Sequence, residues 1–159
     1  MNPLILSIIL TLVPLIELRG GLPLAIINAQ KYGVPESLVF ISIVLLNILL
    51  IFFVFFFLDN IHKVLLKYNF YSKFYNFYLK KMQKRINIFE KKHNELGIYA
   101  LLVFVAIPLP LTGAYSGVFL SWLLKLPRKK SIAAISAGVF IAGVLVYLGT
   151  KGLISFLGI

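Results

Sequence analysis

The segment PLIELRGGLPLAI, residues 14–26, places an acid and a base two positions apart in an otherwise apolar stretch. It contains Glu17, Arg19, Gly20 and Gly21, flanked by Pro14 and Pro23. If the segment lies in a membrane, each ionisable group costs at least about 2.5–3.5 kcal/mol and needs a partner or water. We therefore predict that Glu17 can carry a proton. Arg19 offers its planar fork of donors to a phosphate or a carboxylate.

The glycines of this segment predict a turn of the backbone. Gly20 and Gly21 permit the turn and a close approach to a ligand. A half-helix is then expected to begin at Leu22, with its positive N-terminal end at the same place. A structural interpretation stays open beside this one, since Glu17 and Arg19 could pair with each other or cap the broken helix ends.

A second segment, PLPLTGAYSG at residues 108–117, is rich in turn-forming residues and hydroxyl groups. It carries no charged residue, so we expect it to contribute shape and hydrogen bonds to a binding site rather than charge. A hairpin tip that merely packs against the first segment is the alternative. To the site for substrate and proton we assign Glu17, Arg19, Gly20, Gly21 and Pro23 of the first segment, and from this second segment Pro108, Pro110, Thr112, Gly113, Tyr115 and Ser116.

The composition is that of an integral membrane protein. Apolar residues make up 60% of the 159-residue chain and charged residues 13%, against roughly 45–50% and 25% in soluble domains. With no cysteine, no phosphate-binding Gly-Lys loop and no nucleophile–base motif, we expect no enzyme activity, no cofactor, no metal site and no use of ATP. The net charge of +11 is assigned to anionic lipid headgroups and not to nucleic acid, because the basic residues flank apolar segments.

Two segments, 38–58 and 131–157, are long enough to span a bilayer core of about 30 Å. The apolar stretches before each of them are too short and are broken by proline. We predict that residues 3–31 and 98–126 form helical hairpins that enter and leave the membrane on one side. Irregular backbone at that depth is tolerated only against protein or a wet cavity, so the two hairpins should face each other.

The order of hairpin, polar turn and span occurs twice, in residues 1–58 and 98–159. An offset of 92 residues superposes Gly21 on Gly113 and Pro35 on Pro127. Because one span inverts the chain, the halves should be oppositely oriented, as in many secondary transporters. The sequence therefore predicts a single all-α membrane domain, 1–159, made of two inverted repeats.

The basic residues concentrate in two segments, 59–97 and 125–130. The positive-inside bias places both segments in the cytoplasm and both termini outside. Within residues 59–97, aromatic and other apolar residues recur at steps of three to five, which places them on one face and the lysines on the other, as in an amphipathic helix lying at the headgroups. A linker helix packed on the protein's own bundle is the alternative.

The pair ELRGGLPLAI and IPLPLTGAYSG resembles the small multidrug export family, whose members are small membrane proteins. That family is similar to the DedA/VTT-domain proteins, which carry two opposed re-entrant hairpins. The resemblance implies a transporter with proton coupling, whose embedded acid and arginine fall here on Glu17 and Arg19. This chain departs from the DedA pattern because its second hairpin loop has no charged residue.

Three functions follow as hypotheses. The leading one is a proton-coupled secondary transporter that exports or translocates small amphipathic molecules between the hairpins. A lipid-phosphate translocase or scramblase, with Arg19 holding the phosphate, is the second. The third is a membrane-organising protein without transport. The expected partners are anionic lipids, the substrate and protons, and a homodimer is left open.

Overall fold

The computed structural model describes residues 2–14, 16–65, 92–109 and 112–157, with the backbone alone at 30, 62–65, 92–94 and 157. These residues form α-helices and one short 3-10 helix, and the all-helical prediction is confirmed for them. In chain order they are α1 (Pro3–Leu12), α2 (Glu17–Ala29), the 3-10 helix (Gln30–Tyr32), α3 (Glu36–Leu65), α4 (Lys92–Ala106), α5 (Ala114–Leu123) and α6 (Arg128–Leu157).

The two long helices are apolar enough to cross a membrane. Glu36–Ile61 of α3 and Arg128–Phe156 of α6 satisfy both length and composition, and the predicted spans 38–58 and 131–157 lie inside these helices. One face of α3 exposes a continuous row of large apolar side chains, which suits lipid and would aggregate in water. The row consists of Leu38, Ile41, Leu45, Leu49, Phe52 and Phe56.

Polar contacts join α3 and α6 at both ends. At one end, the Glu36 carboxylate accepts hydrogen bonds from Lys151 Nζ and the Tyr147 hydroxyl, each at 2.9 Å. We call these three residues the Glu36 cluster. Because the first residue of α3 meets the last third of α6, the two helices run antiparallel.

At the other end, Asp59 accepts hydrogen bonds from Arg128 and from Trp122 Nε1. The Arg128 guanidinium also lies 4.8 Å from the centre of the Phe55 ring. We call these four residues the Asp59 cluster. Asp59 does not end the helix, because α3 continues to Leu65, and its carboxylate pairs with Arg128 of α6.

The two clusters follow the 92-residue offset. Shifting α3, residues 36–65, by 92 gives 128–157, which is α6. At this offset Glu36 is equivalent to Arg128, Phe55 to Tyr147 and Asp59 to Lys151. Glu36 contacts Tyr147 and Lys151, and Arg128 contacts Phe55 and Asp59. The inverted repeat and the re-entrant entry of each hairpin stay predictions.

The short helices pair as hairpins and fill the space beside α3 and α6. In the first hairpin, α1 packs closely on α2 at Gly21. A Cβ added at Gly21 would lie 1.9 Å from Thr11 Oγ1 and 2.6 Å from the Ser7 carbonyl oxygen, so only glycine leaves room for α1. Helices α2 and α5 both pack on α3 and α6, while α4 packs mainly on α6. Helix α2 is the most enclosed of them, with Leu18, Leu22 and Ile26 in the core.

Two predicted boundaries need correction. The predicted linker 59–97 is shorter, because α3 extends to Leu65 and α4 begins at Lys92. The remainder of the amphipathic segment, 66–91, lies outside the described residues. The first hairpin turns between α1 and α2 and not at the glycines, since α2 already begins at Glu17. Pro14 therefore lies in the turn, whereas Gly20, Gly21 and Pro23 lie inside α2.

Candidate functional site

Glu17 joins the two hairpins. It is the first residue of α2, has a left-handed φ of 50°, and is only 6% exposed. Its Oε2 accepts the N–H of Ala114 and its Oε1 the N–H of Tyr115, both at 3.0 Å. Since these N–H groups begin α5, Glu17 caps the N-terminus of a helix 97 residues further on. The positive end of the α5 dipole and both N–H donors lie against this carboxylate.

Gly113 makes this cap possible. It stands at the N-cap of α5, where a serine or aspartate would ordinarily cap the helix with its own side chain, and it provides no such bond. A Cβ at this position would lie 1.6 Å from Glu17 Oε2 and 2.3 Å from Cδ. The glycine therefore leaves the space that the carboxylate of the other hairpin occupies.

Arg19 also binds the second hairpin, at groups that follow α4. Its Nη2 donates to the carbonyl oxygen of Thr112 at 2.7 Å, to Thr112 Oγ1 at 2.8 Å and to the carbonyl oxygen of Ile107 at 3.3 Å. Its Nη1 donates to the carbonyl of Leu109. These acceptors follow the C-terminus of α4, where carbonyl groups lack helical partners and the dipole favours a cation.

The second hairpin returns one contact to the first. The Tyr115 hydroxyl donates to the carbonyl oxygen of Leu12, the last residue of α1, at 2.7 Å. The ends of α1, α2, α4 and α5 therefore meet here. Side chains near the starts of α2 and α5 bind backbone groups at helix ends of the opposite hairpin. We call the meeting point of Leu12, Glu17, Arg19, Thr112 and Tyr115 the tip junction.

The capping interpretation of Glu17 and Arg19 accounts for these bonds, with one change. The side chains cap the ends of the opposite hairpin and not of their own. The mutual salt bridge is not formed, since the ion pairs of the described residues are Arg128–Asp59 and Lys151–Glu36. In the second segment, Thr112, Ala114 and Tyr115 likewise contact the first hairpin.

The other predicted site residues take varied positions. Gly20 and Gly21 serve helix packing in α2, and Pro23 lies in the same helix away from the turn. Pro108 lies in the turn after α4, and Pro110 lies outside the described residues. Ser116 Oγ donates to the carbonyl of Gly113 at 3.2 Å.

Asn47 also lies at the site, although the candidate residues chosen from the sequence did not include it. Its Nδ2 donates to the carbonyl oxygen of Ile43 in its own helix at 3.2 Å. Asn47 lies beside the tip junction and lines a small cavity with Glu17, Arg19 and Gly113. A polar residue isolated in the apolar run LVFISIVLLNILLIFF was the available signal.

Comparison with known proteins decides the family. The model of the family described as "Putative small multi-drug export protein" matches residues 17–145, well over half of the chain. This chain belongs to the small multidrug export family. No curated protein and no solved structure matches it. Together with the two apolar helices, membership identifies a membrane protein.

The part of the chain matched by the small multidrug export family model includes the tip junction almost completely. It begins at Glu17 and includes Arg19, Asn47 and the second hairpin, but it ends before Tyr147 and Lys151 of the Glu36 cluster. The charged residues of the tip junction, Glu17 and Arg19, thus lie within the part of the chain that the family model matches.

An apolar groove of about 470 Å³ opens next to the tip junction. It extends along α3 towards the Asp59 cluster, and its size is typical of sites for small ligands. Its polar groups come from Tyr115 and Ser116 alone. The lining residues are Pro14, Phe53, Val54, Phe57, Leu58, Tyr115, Ser116 and Phe119.

Proposed function

We propose that this protein is a proton-coupled secondary transporter that moves small amphipathic molecules across the membrane. The observation that carries the proposal is the tip junction, where a buried carboxylate from one hairpin holds the first turn of a helix in the other. Transport requires an element with two arrangements that ligands can bias. A contact that depends on one ionised group is such an element.

The clusters at the ends of α3 and α6 support a mid-membrane position for the junction. Glu36 and Asp59 are 23 residues apart, as are Arg128 and Lys151, which corresponds to about 34 Å of helix. A bilayer core is about 30 Å thick, so the two clusters fit its two surfaces. Asn47, midway between them, lines the cavity beside Glu17. On this basis both hairpins are re-entrant and the repeats are inverted.

Sidedness follows from the basic segments. Residues 59–97 and 125–130 adjoin the Asp59 cluster in sequence, and the positive-inside bias assigns that end to the cytoplasm. The termini and the Glu36 cluster are then outside. Helices α4 and α5 enter from the cytoplasm, and α1 and α2 enter from the opposite side. Anionic headgroups are the expected partners of the basic segments.

The coupling step is the protonation of Glu17. An ionised carboxylate accepts both N–H groups of α5, and a protonated one is a weaker acceptor that no longer complements the helix dipole. Among the described residues the charged and titratable groups beside it are Arg19 and Tyr115, while α3, α4 and α6 present Asn47, Val105 and Val139. Protonation therefore loosens the contact between hairpins.

The substrate class follows from the groove and from Arg19. The groove offers aromatic and aliphatic surface with two hydroxyl-bearing side chains at the junction end, which fits a small amphipathic molecule. The donors of Arg19 are engaged by Ile107, Leu109 and Thr112. A lipid phosphate would have to displace these carbonyls, so we prefer the amphipathic substrate to the lipid-phosphate alternative.

Transport in proteoliposomes tests the proposal. The purified protein should drive uptake of a fluorescent cationic aromatic amphipath when a pH gradient is imposed, with an anionic amphipath of equal size as the second probe. Glu17→Gln should reduce gradient-driven uptake at least about tenfold, since general proton-transfer roles are worth that or more. Glu95→Gln, which alters an exposed carboxylate in the first turn of α4, is the matched control.

Two outcomes would contradict the proposal. Uptake of neither probe above empty liposomes, from correctly folded protein, would refute transport of amphipathic molecules. Full gradient-driven uptake by Glu17→Gln would refute the coupling role of this residue.

A further inference from the structure

The side chain of Asn47 has an unmet hydrogen-bonding group in the middle of the protein. Asn47 is 0% exposed, and its Oδ1 has no hydrogen-bond partner among the described residues. Its Nδ2 is committed to the carbonyl of Ile43. In either orientation of the amide, one polar atom remains unpaired. Buried amide oxygens are nearly always hydrogen-bonded, so such an atom indicates a missing partner.

The missing partner has a place to sit. Asn47, Glu17, Arg19 and Gly113 line a common cavity of about 10 Å³, whose other walls are the apolar Leu18, Val105, Val139 and Ala142. A volume of roughly 10–15 Å³ by this measure is what a single water molecule needs. The cavity is too small for any larger ligand.

The chemistry of the walls excludes a metal cation as the occupant. Hard cations bind six or so oxygen ligands, whereas the cavity offers Asn47 Oδ1 and a carboxylate whose two oxygens already accept N–H groups. The positive charge of Arg19 borders the same space. Water suits the site, because it can donate to Asn47 Oδ1 and still reach a charged neighbour.

We propose that this cavity holds one water molecule, bound by Asn47 Oδ1, through which the proton reaches Glu17. In the transfer step, this water gives one proton to a Glu17 carboxylate oxygen and takes up one proton from a hydronium ion of the acidic solution, so that it remains neutral water on Asn47. The charged and titratable groups facing Glu17 are Arg19 from α2 and Tyr115 from α5. Helices α3, α4 and α6 face it with Asn47, Val105 and Val139. The inference rests on the proposed function and makes Asn47 a positioning residue.

Infrared difference spectroscopy between acid and alkaline pH tests the inference. The carboxyl band of protonated Glu17 is assigned as the band that Glu17→Gln removes. Asn47→Leu replaces the amide by an apolar group of similar size, and it should slow the appearance of that band after a jump to acid pH at least about tenfold, since proton-transfer roles are worth that or more. Ser131→Ala is the control, since Ser131 Oγ is also buried without a partner but is not among the residues lining this cavity. It should leave the band unchanged.

The wild-type protein gives an independent readout. Exchange into ¹⁸O-labelled water should shift one sharp O–H stretching band that Asn47→Leu lacks. A wild-type spectrum without such a band, or a Glu17 band that appears in Asn47→Leu as fast as in the wild type, would overturn the inference. If either result occurs while gradient-driven uptake is intact, only the inference about the water fails and the proposed function stands. Absence of gradient-driven uptake by the wild-type protein would instead refute the proposed function.

Discussion

Replacing Glu17 by glutamine should lower the free energy of unfolding by about 2–4 kcal/mol, the range for losing charge-assisted hydrogen bonds and leaving a buried donor unpaired. The carboxylate accepts two N–H groups of α5, but a glutamine amide has one acceptor oxygen and would present its NH₂ group to the other N–H. Thermal unfolding in detergent or liposomes measures the effect. Glu95→Gln should be close to neutral, because Glu95 is exposed.

The double variant Glu17→Gln/Arg19→Gln separates two accounts of these residues. Glu17 contacts the N–H groups of Ala114 and Tyr115, whereas Arg19 contacts carbonyl groups before α5. Because they stabilise different helix ends, the losses should roughly add. If the residues were instead a mutual salt bridge, removing both charges would restore stability. Recovery of the double variant to near wild-type stability would contradict the capping geometry.

Replacing Gly113 by alanine should destabilise the protein by about 3 kcal/mol or more, as expected when a buried charge loses its partners. The added Cβ would lie 1.6 Å from Glu17 Oε2, so the carboxylate must leave the α5 N-terminus. The backbone itself tolerates alanine, since the φ of Gly113 is −106°. Gly149→Ala in α6 is the control. Nothing lies within 4 Å of its added Cβ, and alanine there should stabilise the helix by up to about 1 kcal/mol.

The Glu17→Ala background identifies the cause of the Gly113 effect. With the Glu17 side chain truncated, the Gly113 substitution has no carboxylate to displace and should cost less than about 1 kcal/mol. A cost as large as in the wild-type background would mean that the clash with Glu17 is not responsible. Unfolding temperatures of the four proteins in this cycle provide the comparison.

The sequence predicted the long elements better than the turns. Unbroken apolar length located α3 and α6, and charge located Glu17 and Arg19 as residues needing partners. The turn of the first hairpin was predicted at Gly20 and Gly21, because glycine favours turns. The structure uses Gly21 for close contact with α1, while Gly20 lies against the side chain of Ile16, and the turn contains Pro14 instead. A single sequence does not distinguish a glycine needed for close helix packing from a glycine needed for a turn.

The contacts between distant residues were beyond sequence reasoning. Glu17 and Gly113 lie 96 positions apart, and only the folded chain brings the carboxylate to a helix that begins without its own cap. The same holds for the Glu36 and Asp59 clusters, whose ion pairs join residues 115 and 69 positions apart. The 92-residue offset, supported in sequence by two matched residues, also relates the bounds of α3 to those of α6.

The central claim is that ionised Glu17 holds the two hairpins together and that its protonation separates them. Spin labels at Val13→Cys and Leu109→Cys, two exposed positions on opposite hairpin turns of this cysteine-free chain, measure the separation in liposomes by pulsed electron resonance. We predict a narrow distance distribution at alkaline pH, a longer or broader one at acid pH, and in Glu17→Gln the acid form at every pH. An identical distribution across pH in the wild type, or a pH response that persists in Glu17→Gln, would contradict the claim.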